Sequence, residues 1–175
     1  MPLIKLNATQ ALTGTLPAVS GANLTNIDAG KVLQVVQVSY TTETAIASTS
    51  FTDTGLTASI TPSSSSNKIL INVALQYTAY RDSNQAVVSH AKILRGSTDI
   101  FENSEFVGSQ VGTGNNGYQQ IYGTVPLIYL DSPSTTSSTA YKVQAQNNTT
   151  SGNRQIKINH GSNSTSTMTL FEVSA

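Results

Sequence analysis

Apolar residues recur at every second position through most of this chain, a period that fits strands and fits no helix. In Lys68 to Tyr80 the residues Ile69, Ile71, Val73, Leu75 and Tyr77 fall on one face, which marks that face as core. The same alternation, carried by β-branched and aromatic residues, runs through Val32 to Tyr40, Phe51 to Ile60, Ala86 to Arg95, Asp99 to Val107, Tyr118 to Leu130, Thr139 to Asn147, Arg154 to His160 and Thr167 to Val173. Between them lie Ser, Thr, Asn, Gly and Pro clusters such as 61–67, 112–117 and 131–138, which read as turns. No segment longer than about ten residues carries a capped helical stripe. The expectation is an all-β chain: nine strands in an antiparallel β-sandwich over residues 31–175, with no internal repeat.

Residues 1–30 are different. Single aliphatics (Leu12, Leu16, Val19, Leu24, Ile27) alternate loosely with small polar residues, Pro17 removes a backbone donor, and glycines stand at 14, 21 and 30. Such a segment cannot bury its aliphatics alone. It reads as an extended arm ordered by lying on something else, either its own trimer axis or a neighbouring protein. Stretched at roughly 3.3 Å per residue it reaches on the order of 100 Å.

Charge limits the partners. Nine basic and nine acidic residues cancel to zero, and only 10 % of the chain is charged. Nucleic-acid binding by counterion release needs a basic face, and the sequence has none. Serine and threonine exceed a quarter of the residues, so neutral hydroxyls and amides hold the surface in water. There is no cysteine, which removes disulfides, thiolate metal sites and thiol catalysis. No apolar run approaches the roughly 18 residues of a membrane span, and Met1 to Leu6 lacks the layout of a signal peptide, so no membrane insertion is expected and the product should be made in the cytosol.

Catalysis would need titratable groups brought together, and few are available. His90 and His160 have no metal-ligand spacing. In Asp99 to Phe106 simple strand alternation puts Asp99 and Glu105 on one face and Glu102 on the other, which does not make a paired-carboxylate site. No Gly-x-Ser-x-Gly occurs, and the glycine loop at 112–117 lacks the Lys-Ser/Thr ending of a phosphate loop. We expect no catalytic residue, no metal and no cofactor. The enzymatic rival, a small polysaccharide depolymerase, is disfavoured by the scarcity of clustered acids.

Two features suggest contacts instead. In Ile121 to Leu130, Val125, Leu127 and Tyr129 lie on one face while Ile128 and Leu130 lie on the other, so both faces are apolar. A two-layer sandwich covers only one of them. Ile128 and Leu130 are therefore candidates for a subunit interface, unless Pro126 marks a bulge that resets the alternation. Tyr80, Arg81 and Asp82 in one expected loop, and Asn115, Asn116 and Tyr118 in another, are residue types that contact sugars or proteins by stacking and hydrogen bonding.

The string Leu12-Thr-Gly-Thr-Leu16-Pro17-Ala-Val19-Ser-Gly21-Ala-Asn-Leu24-Thr-Asn-Ile27, followed by Gly30-Lys-Val-Leu-Gln-Val-Val36, resembles segments of tailed-bacteriophage virion proteins, chiefly tail fibres and related appendages. The ending Ser166-Thr-Met-Thr-Leu-Phe-Glu-Val173 is similar to the closing strand of many fibre tips. The resemblance covers the arm well and the remainder in style. It implies a homotrimer on a virus particle assembled in the host cytoplasm. It also implies a jelly roll of the tumour-necrosis-factor and complement-C1q type behind an arm that binds a tail or major capsid protein. Two roles fit: a fibre or appendage tip that attaches to a host surface glycan or protein, and a capsid decoration (cement or head-fibre) protein that stabilises the head.

Overall fold

The computed structural model describes residues 31–81, 86–109, 119–148 and 154–175. The arm residues Leu12, Leu16, Val19, Leu24 and Ile27 lie outside these, as do Asp82, Asn115, Asn116 and Tyr118. Regular structure among the described residues is entirely extended: β1 (Val32–Tyr40), β2 (Thr44–Ile46), β3 (Thr52–Ile60), β4 (Lys68–Arg81), β5 (Val87–Arg95), β6 (Thr98–Ser109), β7 (Gln119–Asp131), β8 (Thr139–Asn147), β9 (Gln155–Ile158) and β10 (Ser166–Val173). All nine expected strands are present. The tenth, β2, spans three residues and is too short for a period to show.

The strands form two antiparallel sheets. One has four lanes: β1 continued by β2, β10 continued by β9, then β4, then β7. The other runs β3-β8-β5-β6. Most neighbours are distant in sequence, and together the two orders make the expected jelly-roll sandwich. The inner faces meet in a core to which β4 supplies Ile69, Ile71, Val73 and Leu75, the residues picked out by their alternation. Leu127, Met168 and Leu170 extend it across the first sheet, and Leu56, Ile93, Tyr141 and Val143 close it from the second.

Buried polar groups tie the layers together at both ends, where an unpaired group would be costly. At one end Asp131 of β7 accepts from Arg95 Nη1 of β5 at 2.8 and 2.9 Å and from the Tyr141 hydroxyl at 2.7 Å. Burial, reinforced by that hydrogen bond, pushes the Tyr141 hydroxyl pKa well above its ordinary value. At the other end Asn147 Nδ2 donates to the Ile46 carbonyl at 2.6 Å, and Asn147 Oδ1 accepts from Ser89 Oγ at 2.6 Å.

Two local devices fit the edges to this frame. Asn159 takes a left-handed conformation (φ 55°) between β9 and β10, where its Nδ2 donates to the Tyr40 carbonyl at 2.8 Å and its Oδ1 accepts from Ser166 Oγ at 2.7 Å. This bond network holds the breaks in the two composite lanes side by side. Tyr40 then reaches across to β3, where Gly55 (φ +91°) lies against its ring and leaves no space for a side-chain carbon.

The strand directions give the sandwich two distinct poles. Lys31, the connections 61–67 and 132–138, and the C-terminal residues share one pole, here called proximal. The β4–β5, β6–β7 and β8–β9 connections join strand ends at the opposite, distal pole.

Candidate functional site

The two outer faces of the sandwich differ in chemistry. On the second sheet, Lys142 Nζ lies 3.0 Å from Asp53, Lys92 Nζ lies 2.9 Å from Asp99, and His90 Nδ1 is 3.7 Å from Glu102. Hydrogen bonds from Gln144 and then Lys142 hold the Asp53 carboxyl below its ordinary pKa. This face is built to meet water. It also corrects the expected arrangement of the acids: an irregularity between Ile93 and Leu94 shifts the β5–β6 register, so Asp99 and Glu102 reach partners on the same face. Glu105 sits in a second irregular stretch with φ 63°.

The outer face of the first sheet carries the opposite pattern. Among the described residues, the seven exposed large hydrophobic residues belong to the two edge strands of this sheet: Val32, Leu33 and Val35 on β1, and Ile121, Tyr122, Ile128 and Leu130 on β7, of which Ile121 falls on the opposite face with Val125 and Leu127. Between them stand half-buried Phe171 of β10 and Leu70 of β4. Val35, Phe171, Leu70 and Leu130 are successive partners across the four lanes, so they form one apolar row. The next row is Gln37, Thr169, Asn72 and Ile128, and the one after it Ser39, Thr167, Ala74 and Pro126. None of these positions is charged.

Ile128 and Leu130 are 58 % and 47 % exposed, as expected of residues on an uncovered face. The bulge alternative at Pro126 does not hold, because β7 pairs with β4 without a register break from Asp131 to Gln119. Pro126 is tolerated because β7 is an edge strand with one free side. Sequence reading missed the β1 half of the face. The signal was available: Val35-Val36 and Leu170-Phe171 are adjacent apolar pairs within strands, the same mark that singled out Ile128 and Leu130.

Nearer the distal pole this face becomes aromatic. Tyr122, 65 % exposed, stacks with His160 at 6.4 Å between ring centroids, and His160 meets Tyr80 edge-on at 5.2 Å. Glu43 binds Lys157 Nζ at 2.7 Å and His160 Nδ1 at 2.6 Å. The Lys157 hydrogen bond, then that of His160, lowers the Glu43 pKa. His90 and His160 belong to opposite sheets and do not converge. Among the described residues no group of three His, Cys, Asp or Glu side chains is placed to hold a metal ion.

Two of the expected recognition residues are relocated. Tyr80 and Arg81 end β4 instead of starting a loop, and they are only 5 % and 3 % exposed. The strand runs on past the last clear apolar beat because β7 pairs with it through Arg81 and β9 through Tyr80. Neither offers a surface to a receptor. Arg81 pairs with Gln119 in one sheet and Val87 with Ser109 in the other, so the ends of β4, β5, β6 and β7 all lie at the distal pole.

The proximal pole is held by hydrogen bonds. Lys31 N donates to Ser174 Oγ and Ser174 N to the Lys31 carbonyl, both at 3.0 Å. Glu172, 1 % exposed, accepts from Ser63 N at 2.6 Å, Ser63 Oγ at 2.7 Å and Asn67 Nδ2 at 2.7 Å. Burial acts to raise its pKa, but the donors from Ser63 and Asn67 outweigh it and the net shift is downward.

No protein-family profile and no curated protein matches the sequence. Solved structures to which the chain is similar include a crystal structure of the infectious bursal disease virus particle (13 % identity, 91 % of this chain, 40 % of that chain, TM-score 0.41). Others are the Gx strain of that virus (14 %, 91 % and 42 %, TM-score 0.42) and its VP2 subviral particle (14 %, 81 % and 37 %, TM-score 0.31). The chain spans about two fifths of the length of the first two chains it matches.

Proposed function

We propose that this chain is a non-enzymatic structural protein of a tailed-phage particle, a homotrimer joined to a tail or capsid protein by residues 1–30 and presenting its distal pole to a host surface glycan or protein. The observation that carries this reading is the polarity of the sandwich. The described chain starts at Lys31 on one pole, while the strand ends at Arg81, Val87, Ser109 and Gln119 lie at the other. An anchored head needs this separation. The resemblance of residues 12–36 to fibre segments supplies the identity of the particle. A non-catalytic role is supported by the acids on the second sheet, where Asp53, Asp99 and Glu102 each face a basic partner.

The anchor also has a suitable mechanical path. β1 runs from Val32 away from the proximal pole and pairs with β10 at eight positions, so tension on the arm would load those pairs together in shear. Weak distal contacts repeated on a trimer would gain on the order of 10² to 10⁴ in avidity. The test is deletion of residues 2–28 combined with labelling of whole particles. The truncated chain should fold and fail to enter virions, and label on the full-length protein should sit at the tail. Normal incorporation of the truncated chain would overturn anchoring. Label spread over the head would replace attachment with decoration.

A further inference from the structure

We infer that residues 24–30 turn back before β1 and cover the proximal end of the first sheet's outer face within the same chain, with Ile27 over Leu70, Leu24 over Leu130 and Asp28 beside Lys68. Such a cover is independent of any particle that carries the protein. Four observations select this segment as the occupant.

First, the apolar part of this face begins where residues 1–30 end. Val32 stands in the outermost row with Val173 and Lys68, and the next row, Val35, Phe171, Leu70 and Leu130, is wholly apolar. Farther from the proximal pole the rows turn polar through Gln37, Thr169 and Asn72 to Ser39 and Thr167, and the Glu43, Lys157 and His160 cluster lies nearer the distal pole. A cover is needed only beside Lys31.

Second, the segment is long enough. Leu70 is two lanes and one row from Val32, about 12 Å, and Leu130 is three lanes and one row away, about 16 Å. Ile27 and Leu24 precede Val32 by five and eight residues, which stretch to about 17 and 27 Å. Lys31 still pairs with Ser174, so the reversal falls at Ala29-Gly30, where glycine accepts a tight turn. Third, the charges match. Lys68 is exposed, is the one charged residue in these rows, and has no ion-pair partner among the described residues. Asp28 is the one charged residue between Lys5 and Lys31. It precedes Val32 by four residues, about 13 Å of chain, and Lys68 is two lanes from Val32, about 10 Å.

Fourth, the patch has the size for a tethered segment. Val32, Val35, Ile128 and Leu130, each about half exposed, present on the order of 400 Å² of apolar surface. That is about half of the roughly 800 Å² per partner of a stable interface between separate proteins. A segment joined to the sheet by a few residues is present at an effective concentration in the millimolar range, so a smaller contact holds it.

The absence of cysteine lets a single introduced thiol or disulfide report on the full chain. Ser59, exposed on the second sheet and next to the 61–67 connection, lies at the same pole and serves as the control position. In the full-length protein the Leu130→Cys thiol should react with a water-soluble maleimide about tenfold more slowly than the Ser59→Cys thiol, as a side chain covered in about nine molecules of ten would. Adding Leu24→Ser/Ile27→Ser should abolish that difference. Asp28→Lys should shrink it, and Lys68→Glu combined with Asp28→Lys should restore it. On oxidation Leu24→Cys/Leu130→Cys should form a link within one chain, seen as a faster-migrating monomer band, and Leu24→Cys/Ser59→Cys should not. Equal labelling at positions 130 and 59 would overturn the inference, because the face would be open. So would protection that survives Leu24→Ser/Ile27→Ser, which assigns the cover to a second copy or to a different protein. Links between chains would overturn it in favour of a neighbour's segment. Linking to position 59 as readily as to 130, or no link in a protected chain, would refute the seat given to Leu24.

Discussion

Asn159 is the residue on which the composite lanes turn, and replacing it separates two contributions. Asn159→Ala removes the donor to the Tyr40 carbonyl and the acceptor for Ser166 Oγ, at 2.8 and 2.7 Å, in a side chain whose residue is 1 % exposed. At about 1 kcal/mol net for each bond, the loss is about 2 kcal/mol. The backbone at φ 55° adds a second cost, since an alanine in the left-handed region is about 1 kcal/mol or more worse off than residues suited to it. Asn159→Gly pays only the first, because glycine enters that region freely. The expected losses are therefore about 3 kcal/mol for the alanine variant and about 2 kcal/mol for the glycine variant. Urea unfolding followed by circular dichroism, with the slope held common, reads both. The reasoning is refuted if the glycine variant loses as much as the alanine variant, or if both lose less than about 0.5 kcal/mol.

Three further substitutions probe the frame. Gly55→Ala should cost about 2–4 kcal/mol, because it combines a left-handed backbone with displacement of the Tyr40 ring, whereas Gly96→Ala, with φ 60° and open space around it, should cost about 1 kcal/mol; equal losses in denaturant titrations would dismiss the ring contact. For Glu172 the sign follows from its lowered pKa: the stability it contributes is complete above its ordinary value of 4.5 and is lost as the pH falls through the lower folded value. Glu172→Gln should therefore be less stable at pH 7 and show a flatter decline through the acid range, and identical acid limbs in the two proteins would contradict the clasp built from Ser63 and Asn67.

The strands and their core faces were legible because side-chain direction alternates along an extended backbone whatever the strand is paired with. Ile69, Ile71, Val73 and Leu75 had to share a face, and any sandwich would bury it. The doubly apolar stretch around Ile128 was legible for the same reason, as an excess of apolar beats over what two layers can cover. The faces of Asp99 and Glu102 were not, because an irregularity in pairing moves side chains across a sheet without leaving a mark on composition. Nor was the burial of Tyr80 and Arg81, which depends on β7 and β9, strands that follow them by about forty and seventy residues.

By itself the sequence determined the class of fold, the core faces, the scarcity of charge and the presence of an unusual segment before Lys31, all of which are set by local chemistry. Only the tertiary structure decided that Val35 and Leu130 share one row, that Asp53, Asp99 and Glu102 meet basic partners on the second sheet, and that Lys31 stands at the pole opposite the strand ends at Arg81 and Gln119. Those facts belong to strand order and register. Pairing between segments as distant as β1 and β10 is fixed by the packing of the whole sandwich, so no stretch of sequence read alone contains it.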